Sequence, residues 1–424
     1  SVDNMRISRN YFYAFFLIFY FVNFYFSNLP HKDDIGIFST GNNIINYGKY
    51  AEYDNEFSLR GILTSIIYGI FYLITKNIVI AHKLLILVFS IMIMIVLYKS
   101  STGGEETNQK YYRLILFLFS PYIIYSSNHV IGHLVQAAGL LLFHYFLIET
   151  FRSKEIQSKN ILFCGLSLGL YACTHPYSLI SSPLLFLIIL IKTFCLEIEI
   201  NKILKLILIA FSSFSLFILS IMSIVFITAG EFSLSVTPFS YVLWNIVKYK
   251  TTFIDVPQSE FDIFLIYLKN PDKFFYEIIF PIIKSIIWEI YKHWKFFIII
   301  IPITILGIVK AYLINYKLEI LLFIALIISY SATALLIFYP RYLYPLLIYS
   351  LFFAGLGLET IKIFFYESLK DSGIKPIHNK AIKIILLTTL FYFSYSTYNI
   401  EIKSSMHNST KANITIKAGN FLSK

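Results

Sequence analysis

The sequence predicts an all-α, polytopic membrane protein of about eleven transmembrane helices, with re-entrant or interfacial helices on its outer face. Three observations lead there. Of 424 residues, 57% are apolar and only 14% are charged, whereas a soluble domain carries about a quarter charged residues. The mean hydropathy is +0.70. The apolar residues fall in blocks of about 15 to 22, long enough to cross roughly 30 Å of hydrocarbon as helices, without the alternation of a membrane β-barrel.

The elements follow in order. The first span, 11–29, comes after Arg6 and Arg9 and has no small-residue cleavage site, so it is expected to persist as an anchor. Further spans are expected at 83–98, 114–127, 130–148, 161–174, 177–191, 206–228, 296–312, 318–338, 343–361 and 384–398. One stretch, 61–75, is either a thin span or an interfacial helix on length alone. Charge decides. If it does not cross, the N-terminus is cytoplasmic, and so are the loops holding Lys99, Lys110 and Arg113; Arg152, Lys154 and Lys159; Lys192, Lys202 and Lys205; Lys310 and Lys317; and the lysines from Lys362 to Lys383. Short connections on the other side then hold almost no Lys or Arg, Arg341 excepted. Residues 61–75 are therefore read as a re-entrant or surface-lying helix on the outer face.

This topology gives one transmembrane domain over 1–400, with long outer loops at 30–82 and 229–295, and a polar tail over 401–424. Within the second loop, 278–294 carries Trp288, Tyr291 and Trp294 in the pattern of an amphipathic helix at headgroup level. The net charge of +11 sits singly at helix ends, not in a patch, which excludes a nucleic-acid partner and reads as topology. Cys164, Cys173 and Cys195 lie in or beside spans without ligand spacing and are assigned to packing.

Candidate chemistry is confined to the outer side. Asp33 and Asp34 follow the first span at the membrane edge, where a carboxylate can take a proton from a hydroxyl; two solvated loop acids are the alternative. His129 and His133 stand at i, i+4, a spacing used by metal sites, and His175 precedes Pro176 at the outer end of a span. No glutamate follows in the HExxH sense, so these histidines are expected to line a polar cavity, with a divalent metal as the minority reading. Apart from histidines and Glu359 near their ends, the spans carry almost no ionisable residues.

The order of several short motifs resembles the GT-C glycosyltransferases, in the branch of the protein O-mannosyltransferases and the lipid A aminoarabinose transferases. The matching stretches are Asp33-Asp34 through Phe57-Ser58-Leu59-Arg60-Gly61, then Phe119-Ser120-Pro121-Tyr122, then Gly165-Leu166-Ser167-Leu168-Gly169-Leu170 leading to Thr174-His175-Pro176. Tyr339-Pro340-Arg341-Tyr342-Leu343-Tyr344-Pro345 completes the series. The resemblance implies transfer of a sugar from a polyprenyl-phosphate donor to a lipid, glycan or protein acceptor at the outer face of a bacterial inner membrane. It implies Asp34 or Asp33 as general base, Asp34 being preferred, and Arg60 and Arg341 as ligands of the departing phosphate. Arg60 precedes Gly61 where relatives carry a Pro pair. Arg341, flanked by Tyr342, is also read as an interfacial anchor. His175, His129, His133 and Tyr342 are the implied cavity lining, and a divalent metal is the one cofactor left open. Two rivals are weighed: an O-antigen polymerase or ligase using a polyprenyl-diphosphate donor, and a lipid flippase or transporter, against which the lack of an internal repeat counts.

Overall fold

A computed structural model describes residues 32–48, 62–100, 107–118, 132–152, 156–196, 198–230, 269–276, 294–334 and 343–371, with single positions 280, 283, 284 and 287. The expected spans 11–29 and 384–398, the tail 401–424 and most of the loop 229–295 lie outside the described residues, as do Arg60, His129, Arg341 and Tyr342.

The described regular structure is helical. In chain order it comprises α1 (Lys32–Tyr47), α2 (Ile62–Thr75), α3 (Ile78–Lys99), α4 (Thr107–Leu118), α5 (Gly132–Arg152), α6 (Ser158–Ala172), α7 (Pro176–Phe194) and α8 (Ile200–Ala229). The one-turn α9 (Pro271–Phe274), α10 (Trp294–Leu313), α11 (Lys317–Ala334) and α12 (Tyr344–Asp371) follow. By length and composition α3, α5, α8 and α12 can each cross a membrane. The chain is a multi-helix membrane protein, as composition required.

Burial separates the helices into layers. Leu134, Val135, Ala138, Leu141 and Phe143 make α5 a buried central helix, whereas Leu204, Leu208, Phe211, Leu216 and Leu219 leave one side of α8 uncovered. In water such a row would be a liability; in hydrocarbon it is the lipid-facing side of an outer helix. Proline is tolerated inside α7 at Pro183 and inside α10 at Pro302 because packed neighbours support the interrupted ladder.

Local chemistry sets the turns that bring the helices back on one another. Asn77 caps α3, its side-chain oxygen accepting from the N–H groups of Val79 and Ile80 at 2.9 and 3.2 Å, which permits the two-residue turn after α2. Gly230, at φ 78°, ends α8 in the left-handed conformation and donates its N–H to the Phe226 carbonyl at 2.9 Å.

The first outer loop differs from the expectation. Residues 32–47, read as loop, form α1. Gly, Asn and Asp lower the intrinsic helix propensity of this segment, but Ile37, Phe38, Thr40 and Ile44 recur at helical spacing and are buried. Tertiary packing overrides propensity here. α1 and α2 cross where Gly41 meets Ser65 and Gly69, so closely that a Cβ on either glycine would overlap the other helix's backbone.

α2 begins and ends at the same end of the bundle. At its start, Thr64 Oγ1 donates to the Thr174 carbonyl at 3.1 Å, just past α6. Its last residue is joined to α3 by the tight turn, and α3 runs away to its other end, where Tyr98 meets Tyr111 and Lys110 of α4. Three residues on, Arg113 of α4 lies within electrostatic reach of Arg152 and Glu319, which mark the far end of α5. Fourteen residues make α2 only about 21 Å long, less than the hydrocarbon core.

A second glycine clasp joins α10 to α12. A Cβ on Gly307 would overlap the Phe353 carbonyl, and one on Gly357 the Ile303 carbonyl. Because backbone, not a flexible side chain, blocks the space, Gly357→Ala is expected to cost about 1–3 kcal/mol. Thermal unfolding in detergent should show a lower midpoint than wild type; an unchanged midpoint would mean that the two helices separate without penalty.

Candidate functional site

At the α2 end of the bundle, four helices contribute polar side chains to one buried network. α5 supplies His133 and Gln136, α6 supplies Tyr171, the α6–α7 turn supplies Thr174 and His175, α7 supplies Ser178 and Ser181, and α11 supplies Tyr330. All are buried. In an apolar surround each polar group needs a partner, and the hydrogen bonds form accordingly. Gln136 Nε2 donates to Ser178 Oγ at 2.7 Å and to Tyr330 OH at 3.0 Å. Tyr171 OH bonds with Ser181 Oγ at 2.8 Å and with Tyr330 OH at 3.2 Å. Thr174 Oγ1 donates to the Tyr171 carbonyl at 2.6 Å, which folds the turn tightly and sets His175 at its apex.

The sequence-predicted residues divide sharply. The structure brings His133 and His175 together, ring centroids 5.2 Å apart, with His133 Nδ1 3.4 Å from Gln136 Oε1. Asp33 and Asp34 fall within the described range of α1. One turn on, Phe38 packs on Tyr68 at 4.5 Å and faces His82 at 6.5 Å, between centroids, so α1 is tied to α2 and to the beginning of α3. Arg60, Arg341, His129 and Tyr342 are outside the described residues. For a divalent metal, the two imidazoles of His133 and His175 are the donor set on offer. Among the described residues no group of three His, Cys, Asp or Glu gathers, and a bound zinc takes three or four protein ligands.

The network residues Gln136, Tyr171, Ser178, Ser181 and Tyr330 were not picked out from sequence. Their signal is faint: Thr174, Ser178 and Ser181 recur at helical intervals inside an apolar run, as do small polar residues that merely bond to their own helix. Ser167 and Ser213, bonded to Cys164 and Ala210 carbonyls, are of that ordinary kind.

The opposite end of the bundle holds a second polar cluster, with Arg152 in the last turn of α5 and Glu319 in the first turn of α11. Arg152 of α5 pairs with Glu319 of α11 and lies over the Tyr316 ring at 4.5 Å. Arg113, placed by sequence in a loop, is buried on α4 with its guanidinium 4.9 Å over Phe352. Glu319 and Glu359 attract it and Arg152 opposes it. His144 and Tyr349 OH share a 2.9 Å hydrogen bond beside this group. Sequence separations of 39 (Arg113 to Arg152) to 246 residues (Arg113 to Glu359) between its interacting charges made the cluster invisible in the linear chain.

The fold is similar to that of ArnT from Cupriavidus metallidurans. The chain superposes on the crystal structure of its apo state with a TM-score of 0.54 at 12% identity, over 94% of this chain and 76% of that one. On the structure bound to undecaprenyl phosphate the values are 0.53 and 11%, over 94% and 77%. No protein-family model and no curated protein matches the sequence. At this level of identity the likeness is one of fold.

Proposed function

We propose that the chain is a membrane glycosyltransferase that moves a sugar from a polyprenyl-phosphate donor to an acceptor at the outer face of a bacterial inner membrane, with its N-terminus in the cytoplasm. The observation that carries this reading is the likeness over 94% of the chain to a structure that holds undecaprenyl phosphate. The polar network supports it by its place: buried side chains gather at one end of an apolar bundle, where a sugar head could sit while its isoprenoid tail stays in lipid.

In this reading the acceptor oxygen attacks the anomeric carbon and the bond from that carbon to the phosphate oxygen breaks, its electron pair leaving with the polyprenyl phosphate. Asp34 or Asp33 takes the acceptor proton. Arg60 and Arg341 neutralise the departing phosphate, a task suited to a planar, permanently charged guanidinium. His133 and His175 line the sugar cavity. Should two imidazoles and a carboxylate from α1 hold a divalent cation, it would supply charge stabilisation at the phosphate; none of these steps depends on it.

Purified protein in lipid nanodiscs, given radiolabelled polyprenyl-phosphate sugars with lipid, glycan and protein acceptors, should transfer label from at least one donor. Consumption of only polyprenyl-diphosphate-linked saccharides would replace the proposal with a polymerase or ligase.

A further inference from the structure

α6 and α8 pack through glycine, and the register of that contact places their charged ends. A Cβ added to Gly165 would overlap Ser213 and the Ala210 carbonyl, and one added to Gly169 would press on Phe217 and the Phe214 carbonyl. Four residues forward on α6 match four forward on α8, so the two helices run parallel. About two turns before the Gly165 contact stand Lys159 on α6 and Lys205 on α8, with Lys202 about one turn further out. This is the end of the bundle at which α5 finishes with Arg152. Spacing then sets the flank. Lys159, Leu162 and Leu166 recur at i, i+3 and i+7, and Lys202, Lys205, Ile209 and Leu216 at i, i+3, i+7 and i+14, so each set forms one stripe. α7 occupies the other flank of the pair. It meets α6 through Tyr171 and Ser181 at 2.8 Å, and α8 through Phe214, whose ring lies 5.6 Å from that of Phe186. On their helices Tyr171 and Phe214 stand roughly half a turn away from the two stripes. The stripes therefore line one open groove, with Leu162 40% and Leu216 63% exposed along it and three exposed lysines at its end.

We propose that this groove binds an acidic phospholipid of the leaflet at that end, its phosphate held by Lys159, Lys202 and Lys205 and one acyl chain lying along Leu162, Ile209 and Leu216. The site is independent of the glycosyl-transfer reading. Among the described residues the ion pair is that of Arg152 with Glu319, and the three lysines take no part in it. Lys159 Nζ lies 5.9 Å from the centre of the Phe163 ring, held by an aromatic face and not by a carboxylate. Glu149 and Glu199 are the exposed acids described on these helix ends, one fewer than the lysines, which leaves positive charge for a headgroup to neutralise. The two halves of the groove define the ligand. A phosphodiester with a net negative headgroup answers the ammonium groups, and the apolar rows take a chain in hydrocarbon, which free phosphate does not bring. A zwitterionic lipid carries its own ammonium group and gains less from the lysines. Lysine is a point charge on a flexible stem, suited to a headgroup that exchanges with the surrounding bilayer.

Native mass spectrometry of the full chain in detergent tests this, with phosphatidylglycerol, phosphatidylethanolamine or inorganic phosphate added. Wild type should retain one phosphatidylglycerol in preference to phosphatidylethanolamine, and inorganic phosphate should not displace it. Each of Lys159→Gln, Lys202→Gln and Lys205→Gln should weaken retention about fivefold, the factor for one basic residue at an anionic surface. Because these side chains are exposed, the lipid-free unfolding midpoint should stay at the wild-type value. Lys310→Gln with Lys317→Gln removes two charges from the same end but from α10 and α11, and retention should not change. Equal retention of the two lipids by wild type would overturn the proposal whether or not the variants fold. So would an equal loss in the Lys310 and Lys317 double variant, which would reduce the effect to net charge. Displacement by inorganic phosphate would also overturn it, making the site an anion pocket without a chain. A wild-type dimer that the lysine variants dissociate, with bound lipid unchanged, would give the groove to a second copy of the chain instead.

Discussion

Asp34→Asn is expected to lower sugar transfer by about 10²–10⁴-fold, the range over which a positioned general base acts, with Asp33→Asn falling less. The substitution preserves volume and removes only the ability to take a proton. Because the amide has the shape of the carboxylate that it replaces, folding should survive. Thermal unfolding should match wild type, and undecaprenyl phosphate should still bind, since the leaving group is held elsewhere. Unchanged turnover in both variants would sink the assignment of the base to this pair.

Removing the charge of Glu319 should have the largest effect on stability. Glu319 is buried and pairs with Arg152, while Arg113 lies near enough to feel both. Glu319→Gln leaves two guanidinium groups facing one another across the ends of α4, α5 and α11 with one carboxylate fewer to balance them. Stripping one partner from a buried pair costs about 3–5 kcal/mol. The Arg152 side chain is 30% exposed, so water recovers part of this, and about 2 kcal/mol is expected in detergent unfolding. The double variant Arg152→Met with Glu319→Met should recover most of the loss, because a well-packed apolar pair replaces a desolvated ionic one at little cost. Additive losses would show that the two side chains stabilise the bundle independently.

How much of this was legible without coordinates depends on sequence distance. His175 beside Pro176 was visible as a polar residue at a span end, and its partner His133 as the start of another. Their meeting was not, since 42 residues separate them and helix rotation, not spacing, decides whether two rings face each other. α1 was missed because Gly36, Gly41, Asn42 and Asn43 argue locally for a loop, while the burial of Ile37 and Phe38 that makes it a helix is supplied by Tyr68 and His82. Arg113 was read as a loop cation from its place beside Lys110, and only the ring of Phe352 and the carboxylates of α11 and α12 bring it inside the bundle.

By itself the sequence determined the solvent of this protein. An apolar majority in blocks of spanning length is satisfied by helices in lipid, since hydrophobicity along the chain is a one-dimensional property. The tertiary structure decided which polar residues share a site. Gln136, Tyr171, Ser178 and Tyr330 come from four helices, and buried donors and acceptors must find partners wherever packing sets them. That requirement is three-dimensional, and it chose His133 and its neighbours from among many polar residues that look alike along the chain.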